Sequence, residues 1–233
     1  MARSKLPFFP RLTGAVLRCL FAALSKVTVE GVENLPQEGA VMVVCNHASN
    51  ADGMLLMAYV VPKLGRPMGW IGKEEALRWP FFGWAMKQNG VFGVKRGGGD
   101  LEAFRTAKRV LDEGRPLAVF PEGTRSNDGA LQAAREGATV LAVRSGAPVL
   151  PVAVIGSHRF WPRGKFLPRP RRPMTVRIGA SFRLQMAQNP DRHEAMRLTT
   201  TELMRHIAGL LAPEQRGVYA QAVGPNGSGG PRG

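Results

Sequence analysis

The sequence predicts an α/β fold, with a mostly parallel sheet flanked by helices and an amphipathic membrane-interface helix at the N-terminus. Short, continuously apolar runs recur along the chain and are typical of strands buried on both faces. Stretches with apolar residues at helical spacing separate these runs. Because strands that alternate with helices favour a parallel sheet covered by helices, we expect one α/β domain in the 233 residues.

Three segments are expected along the chain, and no internal repeat is visible. Residues 1–29 are predicted to associate with a membrane, residues 30–212 to form the α/β domain, and residues 213–233 to form a flexible tail.

The two cysteines do not make a disulfide framework, and both lie in apolar runs, which is typical of thiols in a reducing compartment.

An amphipathic helix is predicted over residues 12–24. The side chains on its apolar face are Leu12, Val16, Cys19, Leu20 and Ala23, and its nearby cations are Arg11, Arg18 and Lys26. The run is shorter than the about 20 residues of a membrane span, and it lacks a small-residue cleavage site. We therefore expect the helix to lie in a membrane interface, with cations near lipid head groups. The alternative is a helix packed on the protein's own core.

The strands follow from the apolar runs. Residues 27–36 alternate as an edge strand does, and the three continuous runs AVMVVC, PLAVF and VLPVAVIG are typical of buried strands. Shorter strands are predicted at residues 68–71, 91–94 and 174–180.

The helices follow from apolar spacing and from the residues that end them. The helix after AVMVVC is predicted to begin after Ser49 or Asn50 and to stop at Pro62. Asp100 and Gly114 are predicted to bound another helix. Further helices are predicted at residues 80–87, 136–144 and 190–211, whereas residues 157–173 are basic, proline-rich and loop-like.

The net charge of +15 is concentrated in two places. Residues 1–29 hold five basic residues and residues 137–190 hold nine, and neither stretch contains an acid. This distribution indicates two basic surfaces that face polyanions, and both an anionic membrane and nucleic acid are candidates. A nucleic-acid-binding protein is disfavoured because the chain lacks a basic surface interleaved with aromatic residues and lacks a recognised nucleic-acid motif.

The stretch CNHASNADG follows the first buried strand and contains His47 five positions before Asp52. Positions five apart do not share a helical face, so the two side chains are expected to meet across a strand-to-helix turn. A carboxylate that accepts from one ring nitrogen fixes the tautomer of a histidine and leaves the other nitrogen to act as a base. The pair alone is a weak signal, and an ordinary turn is the alternative. No Cys/His spacing suggests a metal site.

The stretch VFPEGTRS ends a second buried strand and is expected to expose Glu122, Gly123, Thr124 and Arg125 together. Ligands of α/β proteins usually gather at the carboxyl ends of strands. Gly123 lets the backbone approach a ligand, and Thr124 and Arg125 are able to donate to a phosphate. The alternative is a surface turn with an ion pair between Glu122 and Arg125.

The stretch GVKRGGG places Lys95 and Arg96 after a short strand and before a predicted helix N-terminus, where anions are favoured. As a lone signal it is weak, and a flexible basic loop is the alternative.

Four ordered blocks between residues 32 and 183 resemble the glycerolipid acyltransferase family. NHASNAD matches the family's NH-x4-D signature, and FPEGTRS matches the third block nearly in full. GKEEALRWPFFGWAMKQNGVFGVKR is similar to the second block and VLPVAVIG to the fourth. The chain departs from the family in having Ala134 and Arg135 where many members have Phe-Lys, and Lys95 where an aspartate is common; both changes bear on the acceptor.

The resemblance implies the roles of individual residues. His47 is expected to act as the base with Asp52 as its partner, and Pro151 to face the acyl chain. The residues expected to bind the phosphorylated acceptor or other parts of the substrate are Lys73, Arg96, Glu122, Gly123, Thr124 and Arg125.

The resemblance also implies a reaction and its partners. We expect transfer of an acyl group from acyl-CoA or acyl-carrier protein, as co-substrate, to the free hydroxyl of 1-acylglycerol-3-phosphate, without a bound cofactor or metal. Residues 30–212 are then the acyltransferase domain, lying peripherally or monotopically on the cytoplasmic face of the cell membrane. The same chemistry on glycerol-3-phosphate or a lyso-aminolipid is the alternative among enzymes, and a non-catalytic basic protein that binds anionic membrane or nucleic acid is the alternative outside them.

Overall fold

Seven strands form one sheet in the part of the chain that the computed structural model describes, residues 6–94 and 101–222. The strands are β1 (Val27–Glu30), β2 (Val41–Cys45), β3 (Gly69–Lys73), β4 (Val91–Val94), β5 (Pro116–Val119), β6 (Val149–Ile155) and β7 (Met174–Ile178). Their order is β1-β7-β6-β2-β5-β3-β4, and every pairing is parallel except that of β6 with β7. The predicted mostly parallel sheet is therefore confirmed.

Helices connect the strands and cover both faces of the sheet. They are α1 (Phe8–Leu24), α2 (Ala51–Leu55), α3 (Val61–Leu64), α4 (Glu74–Leu77), α5 (Pro80–Gln88), α6 (Leu101–Asp112), α7 (Glu136–Ser145), α8 (Ser157–Phe160) and α9 (Arg192–Leu210), with a π-helical turn at Leu56–Val60 and single 3-10 turns at Val32–Asn34, Pro213–Gln215 and Gly217–Tyr219. Asp100, the predicted cap of α6, lies outside the described residues.

Two apolar layers result from the alternation of side chains along the strands. Val43 of β2 and Val152 of β6 point to the layer that contains α1 and the helices after β2. Met42 and Val149 point to the opposite layer, with α6, α7 and α9. Both central strands are buried on both faces, which explains why their sequences are continuously apolar.

The helix after β2 continues past Pro62 and ends at Gly65, which has a positive φ of 66°. The prediction that Pro62 stops it was wrong. The π-helical turn at Leu56–Val60 lies just before Pro62, and its altered hydrogen-bond pattern accommodates a proline, which has no N–H group to donate, within a continuous helical run.

Helix α1 packs on the core with one face and exposes the other. Phe21 is buried against Tyr59 and Phe160, and Gly14 lies close to the backbone of Met57. The face predicted from the sequence remains exposed and includes Leu12, Val16 and Leu20. Core packing and an exposed apolar face, which were predicted as alternatives, occur together on this helix.

Candidate active site

The carboxyl ends of β2, β5 and β6 meet at one edge of the sheet, because these strands are neighbours and run parallel. His47 follows β2 by two residues, and Glu122 follows β5 by three. The backbone N–H of Ser126 donates to the carbonyl of His47 at 2.7 Å, so the two polar turns are in direct contact. The sheet thus brings together the two motifs predicted from the sequence.

Asn46 extends the pairing of β2 with β6 beyond the end of β2. Its amide donates to the carbonyl of Val154 at 3.0 Å and accepts from the N–H of the same residue at 2.7 Å. Because Asn46 is buried, these two bonds fix the backbone immediately before His47.

His47 and Asp52 meet across the turn between β2 and α2, as the sequence predicts. Nδ1 of His47 lies 3.0 Å from Oδ2 of Asp52, whose side chain is fully buried. Since a carboxylate only accepts, the arrangement favours the proton on Nδ1 and leaves Nε2 to accept a proton. The His47 side chain is 24% exposed, so the ring is open to a reactant.

Asp52 also organises the turn that carries His47. Its Oδ2 accepts from the N–H groups of Ala48 and Ser49, both at 2.7 Å. Both N–H groups lie in the turn before α2, so the carboxylate holds this turn against the first turn of the helix. The predicted cap is only partly confirmed, because the Oγ of Ser49 accepts from the N–H of Ala51 at 3.1 Å, whereas Asn50 makes no side-chain cap bond.

Phe120 packs against one face of the His47 ring. The two rings are stacked, with centroids 4.2 Å apart and an interplanar angle of 23°. Phe120 directly follows β5, so the ring orientation depends on both strands.

Glu122 is a buried carboxyl group that ties the two turns together. Its Oε1 accepts from the N–H of His47 at 2.7 Å, and its Oε2 accepts from the N–H of Gln132 at 2.9 Å. Burial raises the pKa of Glu122 to about 7; the N–H donors from Gln132 and His47 lower it, and the nearby charges of Asp52 and Asp128 raise it. The contacts observed for Glu122 fix the backbone of His47, and the role of Glu122 in binding the acceptor remains a prediction.

The loop after Glu122 presents cations around a glycine. Gly123 has a φ of 66°, and a Cβ built there would lie 2.8 Å from Cδ and Nε of Arg135. The side chain of Arg135 therefore lies over the loop that also contains Thr124 and Arg125, both half-buried. This geometry explains why glycine stands at the turn.

Arg125 contacts the turn between His47 and Asp52, where its Nη1 donates to Oδ1 of Asn50 at 2.5 Å. Arg163, from the loop after α8, donates to the carbonyl of Arg125 at 2.6 Å and to Oδ1 of Asn127 at 2.9 Å. The alternative to a ligand-binding loop, a surface turn with an ion pair between Arg125 and Glu122, is not observed: both Glu122 oxygens accept from backbone N–H groups, and Arg125 binds Asn50. Three arginines thus surround a loop adjacent to the His47–Asp52 pair.

The positions of three other predicted site residues leave their roles untested. Lys73 is the last residue of β3, at the same edge of the sheet, and Arg96 lies outside the described residues. Pro151 is buried inside β6, in register with Val44, and its ring lies near Gly179. The roles of all three remain predictions.

Sequence reasoning assigned no supporting role at this site to Asn46, Phe120 or Arg163, and it considered Ser49 only as a helix cap. Asn46 and Ser49 lie inside the recognised motif, and Phe120 directly precedes Pro121, so proximity to the motifs was the available signal. Arg163 carried no such signal, since it is 38 residues from Arg125 in sequence. The described residues contain no group of three or more His, Cys, Asp or Glu side chains that could hold a metal ion.

Known proteins share both the sequence pattern and the fold. The chain is 34% identical over 142 residues to the chloroplastic 1-acyl-sn-glycerol-3-phosphate acyltransferase LPAT1 of Arabidopsis thaliana, covering 60% of this chain and 38% of that protein. It is 33% identical over 138 residues to the 1-acyl-sn-glycerol-3-phosphate acyltransferase of Pseudomonas aeruginosa, covering 58% of this chain and 51% of that protein. The chain thus matches about half of the length of these curated relatives or less.

The crystal structure of the 1-acyl-sn-glycerophosphate acyltransferase PlsC from Thermotoga maritima has the same fold, with a TM-score of 0.68 and 26% identity over 87% of this chain and 80% of that one. A sequence profile of the acyltransferase family matches residues 26–155, which are more than half of the 233 residues and include both motifs of the site. The chain belongs to the acyltransferase family.

Proposed function

We propose that the protein transfers a fatty acyl group from an acyl thioester to the free hydroxyl of 1-acylglycerol-3-phosphate, giving phosphatidic acid. The observation that carries this proposal is the His47–Asp52 pair beside a loop lined by arginines, since the reaction requires a base and a site for a phosphate. The names of the relatives from Arabidopsis, Pseudomonas and Thermotoga support the same acceptor.

Proton transfer by His47 begins the proposed reaction. Nε2 accepts the proton of the acceptor hydroxyl while Asp52 holds the ring by Nδ1. The hydroxyl oxygen attacks the thioester carbonyl, the carbon–sulfur bond breaks, and the thiolate takes the proton from His47. Transfer is direct, since Ser49, the hydroxyl nearest in sequence to His47, is buried and donates to the carbonyl of Trp161.

The cationic loop is proposed to hold the acceptor. A guanidinium binds a phosphate through two parallel hydrogen bonds. Arg125 is suited to this role because its hydrogen bond to Asn50 holds it beside the turn that carries His47 and Asp52. Gly123 and Thr124 contribute their backbone and hydroxyl donors, and Lys73 and Arg96 add charge as the family resemblance implies. Fixing the phosphate converts an encounter between two substrates into a positioned reaction.

The acyl donor is proposed to be acyl-CoA or acyl-carrier protein, with no bound cofactor. Both donors present the same thioester, so His47 serves either one. Pro151 is proposed to line the acyl side of the site, as the resemblance implies.

The enzyme is proposed to bind the cytoplasmic face of the cell membrane peripherally or monotopically through residues 1–29. No helix in residues 6–94 or 101–222 is long and apolar enough to cross a bilayer. The outer face of α1 instead exposes apolar side chains, and at its N-terminal end Phe9 packs edge-on against Trp84 of α5, beside the exposed Phe81. Such a surface suits insertion into one leaflet, where both lipid substrates and products reside.

An acceptor panel tests the proposed function. Purified protein is given a labelled acyl thioester and 1-acylglycerol-3-phosphate, glycerol-3-phosphate or a lyso-aminolipid, and the acylated product is measured. We expect product with 1-acylglycerol-3-phosphate, loss of at least about 100-fold in His47→Ala, and native activity in His193→Ala, a control on the exposed first turn of α9. Transfer only to another acceptor would redirect the assignment, and native turnover by His47→Ala would refute the role of the base.

A further inference from the structure

The loop of residues 161–173, here the basic loop, is largely exposed, and apart from Arg163 its side chains have no part in the proposed reaction. It contains Arg163, Lys165, Arg169, Arg171 and Arg172, all exposed, and it contains no acid. Between these cations, Phe166 is 90% exposed and Leu167 is 69% exposed. Two adjacent apolar side chains that are exposed to solvent and flanked in sequence by exposed cations match a surface that is apolar inside and anionic outside.

The first part of the basic loop is attached to the candidate active site. The carbonyl of Trp161 accepts from Oγ of Ser49 at 2.8 Å, and Arg163 binds the carbonyl of Arg125. The indole N–H of Trp161 donates to the carbonyl of Lys165 at 2.9 Å, which closes the turn before Phe166.

The last part of the basic loop is attached to the end of α1. The N–H of Arg171 donates to the carbonyl of Leu24 at 2.7 Å, and Oγ of Ser25 donates to the carbonyl of Arg172. The exposed Leu20 is one turn before Leu24 on α1. The basic loop therefore links the active-site edge of the sheet to the helix whose outer face is proposed to enter the membrane.

We propose that the basic loop is a second membrane-docking element, in which Phe166 and Leu167 insert into an anionic bilayer while the surrounding Arg and Lys side chains bind lipid head groups. Docking at both α1 and the basic loop orients the protein, because two separated anchors prevent rotation about either one. It holds the edge that carries His47 and Arg125 beside the lipid surface. The proposal rests on the lipid acceptor of the proposed function, but the binding it describes is measurable without turnover.

Vesicle binding tests the proposal directly. Native protein, Phe166→Ser/Leu167→Ser and Val218→Ser are sedimented with vesicles of phosphatidylcholine containing phosphatidylglycerol. Val218 is the matched control, because it is 69% exposed, like Leu167, but lies in the 3-10 turn Gly217–Tyr219. We expect the double variant to bind at least about tenfold more weakly and Val218→Ser to bind as native protein does. Unchanged binding of the double variant would overturn the proposal.

A turnover assay separates the membrane from an acidic carrier protein as the occupant of the basic loop. We expect the double variant to lose activity at least about tenfold on long-chain acceptor in vesicles and to keep it on a monomeric short-chain acceptor. Loss of activity only with a carrier-protein donor, with vesicle binding intact, would identify a protein-docking loop and refute the proposal. If no variant shows turnover, the proposed function fails while the vesicle result still decides the role of the loop.

Labelling measures insertion of the loop itself. Leu167→Cys in a Cys19→Ser background carries one accessible thiol, because Cys45 is buried. An environment-sensitive dye on this thiol is expected to shift to shorter wavelength with vesicles containing phosphatidylglycerol and less with phosphatidylcholine alone. An unchanged spectrum with both vesicles would contradict insertion.

Discussion

The backbone N–H of His47 donates to Oε1 of Glu122 at 2.7 Å, and this hydrogen bond joins the ends of the neighbouring strands β2 and β5. The other oxygen of Glu122 binds the N–H of Gln132, further along the loop that carries Arg125. A single buried carboxyl group therefore sets the position of the proposed base relative to the proposed phosphate site. Catalysis by a base and a phosphate-binding cation depends on that relative position.

Replacing Glu122 with Gln is expected to change how stability depends on pH. Burial raises the pKa of Glu122 to about 7 in the folded protein, whereas the ordinary value of 4.5 applies to the unfolded chain. The folded state therefore binds the proton of Glu122 more tightly than the unfolded chain does. Native protein therefore loses stability as pH rises from about 4.5 to about 7, by on the order of 3 kcal/mol, and Glu122→Gln does not. The free energy of unfolding in urea, measured across this range, should fall in native protein relative to the variant. Glu33→Gln, at an exposed position, serves as the control, and parallel curves for native protein and Glu122→Gln would contradict the prediction.

Arg125→Lys is expected to weaken acceptor binding more than it slows the chemical step. The guanidinium of Arg125 is able to keep its bond to Asn50 while other N–H groups pair with a phosphate, whereas a lysine ammonium offers one point of contact. We expect KM for the acceptor to rise about tenfold, with kcat within about twofold. Steady-state kinetics with varied acceptor measure both constants, and Arg192→Lys, on the exposed first residue of α9, should leave both unchanged. An unchanged KM in Arg125→Lys would remove this residue from the phosphate site.

The positions of the strands and of the His47–Asp52 contact were predictable because they depend on local patterns. Continuous apolar runs mark the central strands, and the spacing of five between His47 and Asp52 requires a turn. Long-range contacts were not predictable in the same way. The hydrogen bonds from His47 to Glu122 and from Arg163 to Arg125 join residues 75 and 38 positions apart, and no sequence period connects such positions.

Helix α1 shows why a correctly predicted apolar face did not reveal which side of the helix packs on the core. The sequence marks Leu12, Val16 and Leu20 as an apolar face, yet Gly14 and Phe21 make a second face that is able to approach the core. Hydrophobic periodicity indicates that a face is apolar but does not tell whether lipid or protein covers it. The small side chain at Gly14 allows the close approach to Met57, so this face packs on the core and the face with Leu12, Val16 and Leu20 remains exposed.

Asp52→Asn is expected to lower kcat by about 1,000-fold, because an amide presents a donor as well as an acceptor and no longer fixes the tautomer of His47. The two backbone N–H groups at Ala48 and Ser49 also lose a charged acceptor, so the melting temperature should fall. The matched control is Asp191→Asn, which alters another carboxylate that accepts a backbone N–H, at the start of α9. Because asparagine caps a helix about as well as aspartate does, the control should keep both kcat and the melting temperature close to native values. A native kcat in Asp52→Asn would show that His47 does not require Asp52 and would contradict the proposed pair.

The outer face of α1 is expected to contribute to membrane binding without contributing to folding. The triple variant Leu12→Ser/Val16→Ser/Leu20→Ser removes three exposed apolar side chains, so binding to vesicles containing phosphatidylglycerol should weaken at least about tenfold while the free energy of unfolding changes by less than about 1 kcal/mol.

Phe21→Ser, on the opposite face of the same helix, gives the contrasting result. Phe21 is buried against Tyr59 and Phe160, so its loss should cost about 3–5 kcal/mol of unfolding free energy. Sedimentation with vesicles and urea unfolding, applied to both variants, separate the two faces. If the triple variant unfolds as readily as Phe21→Ser, the outer face contributes to the fold, and the assignment of α1 to the membrane loses its support.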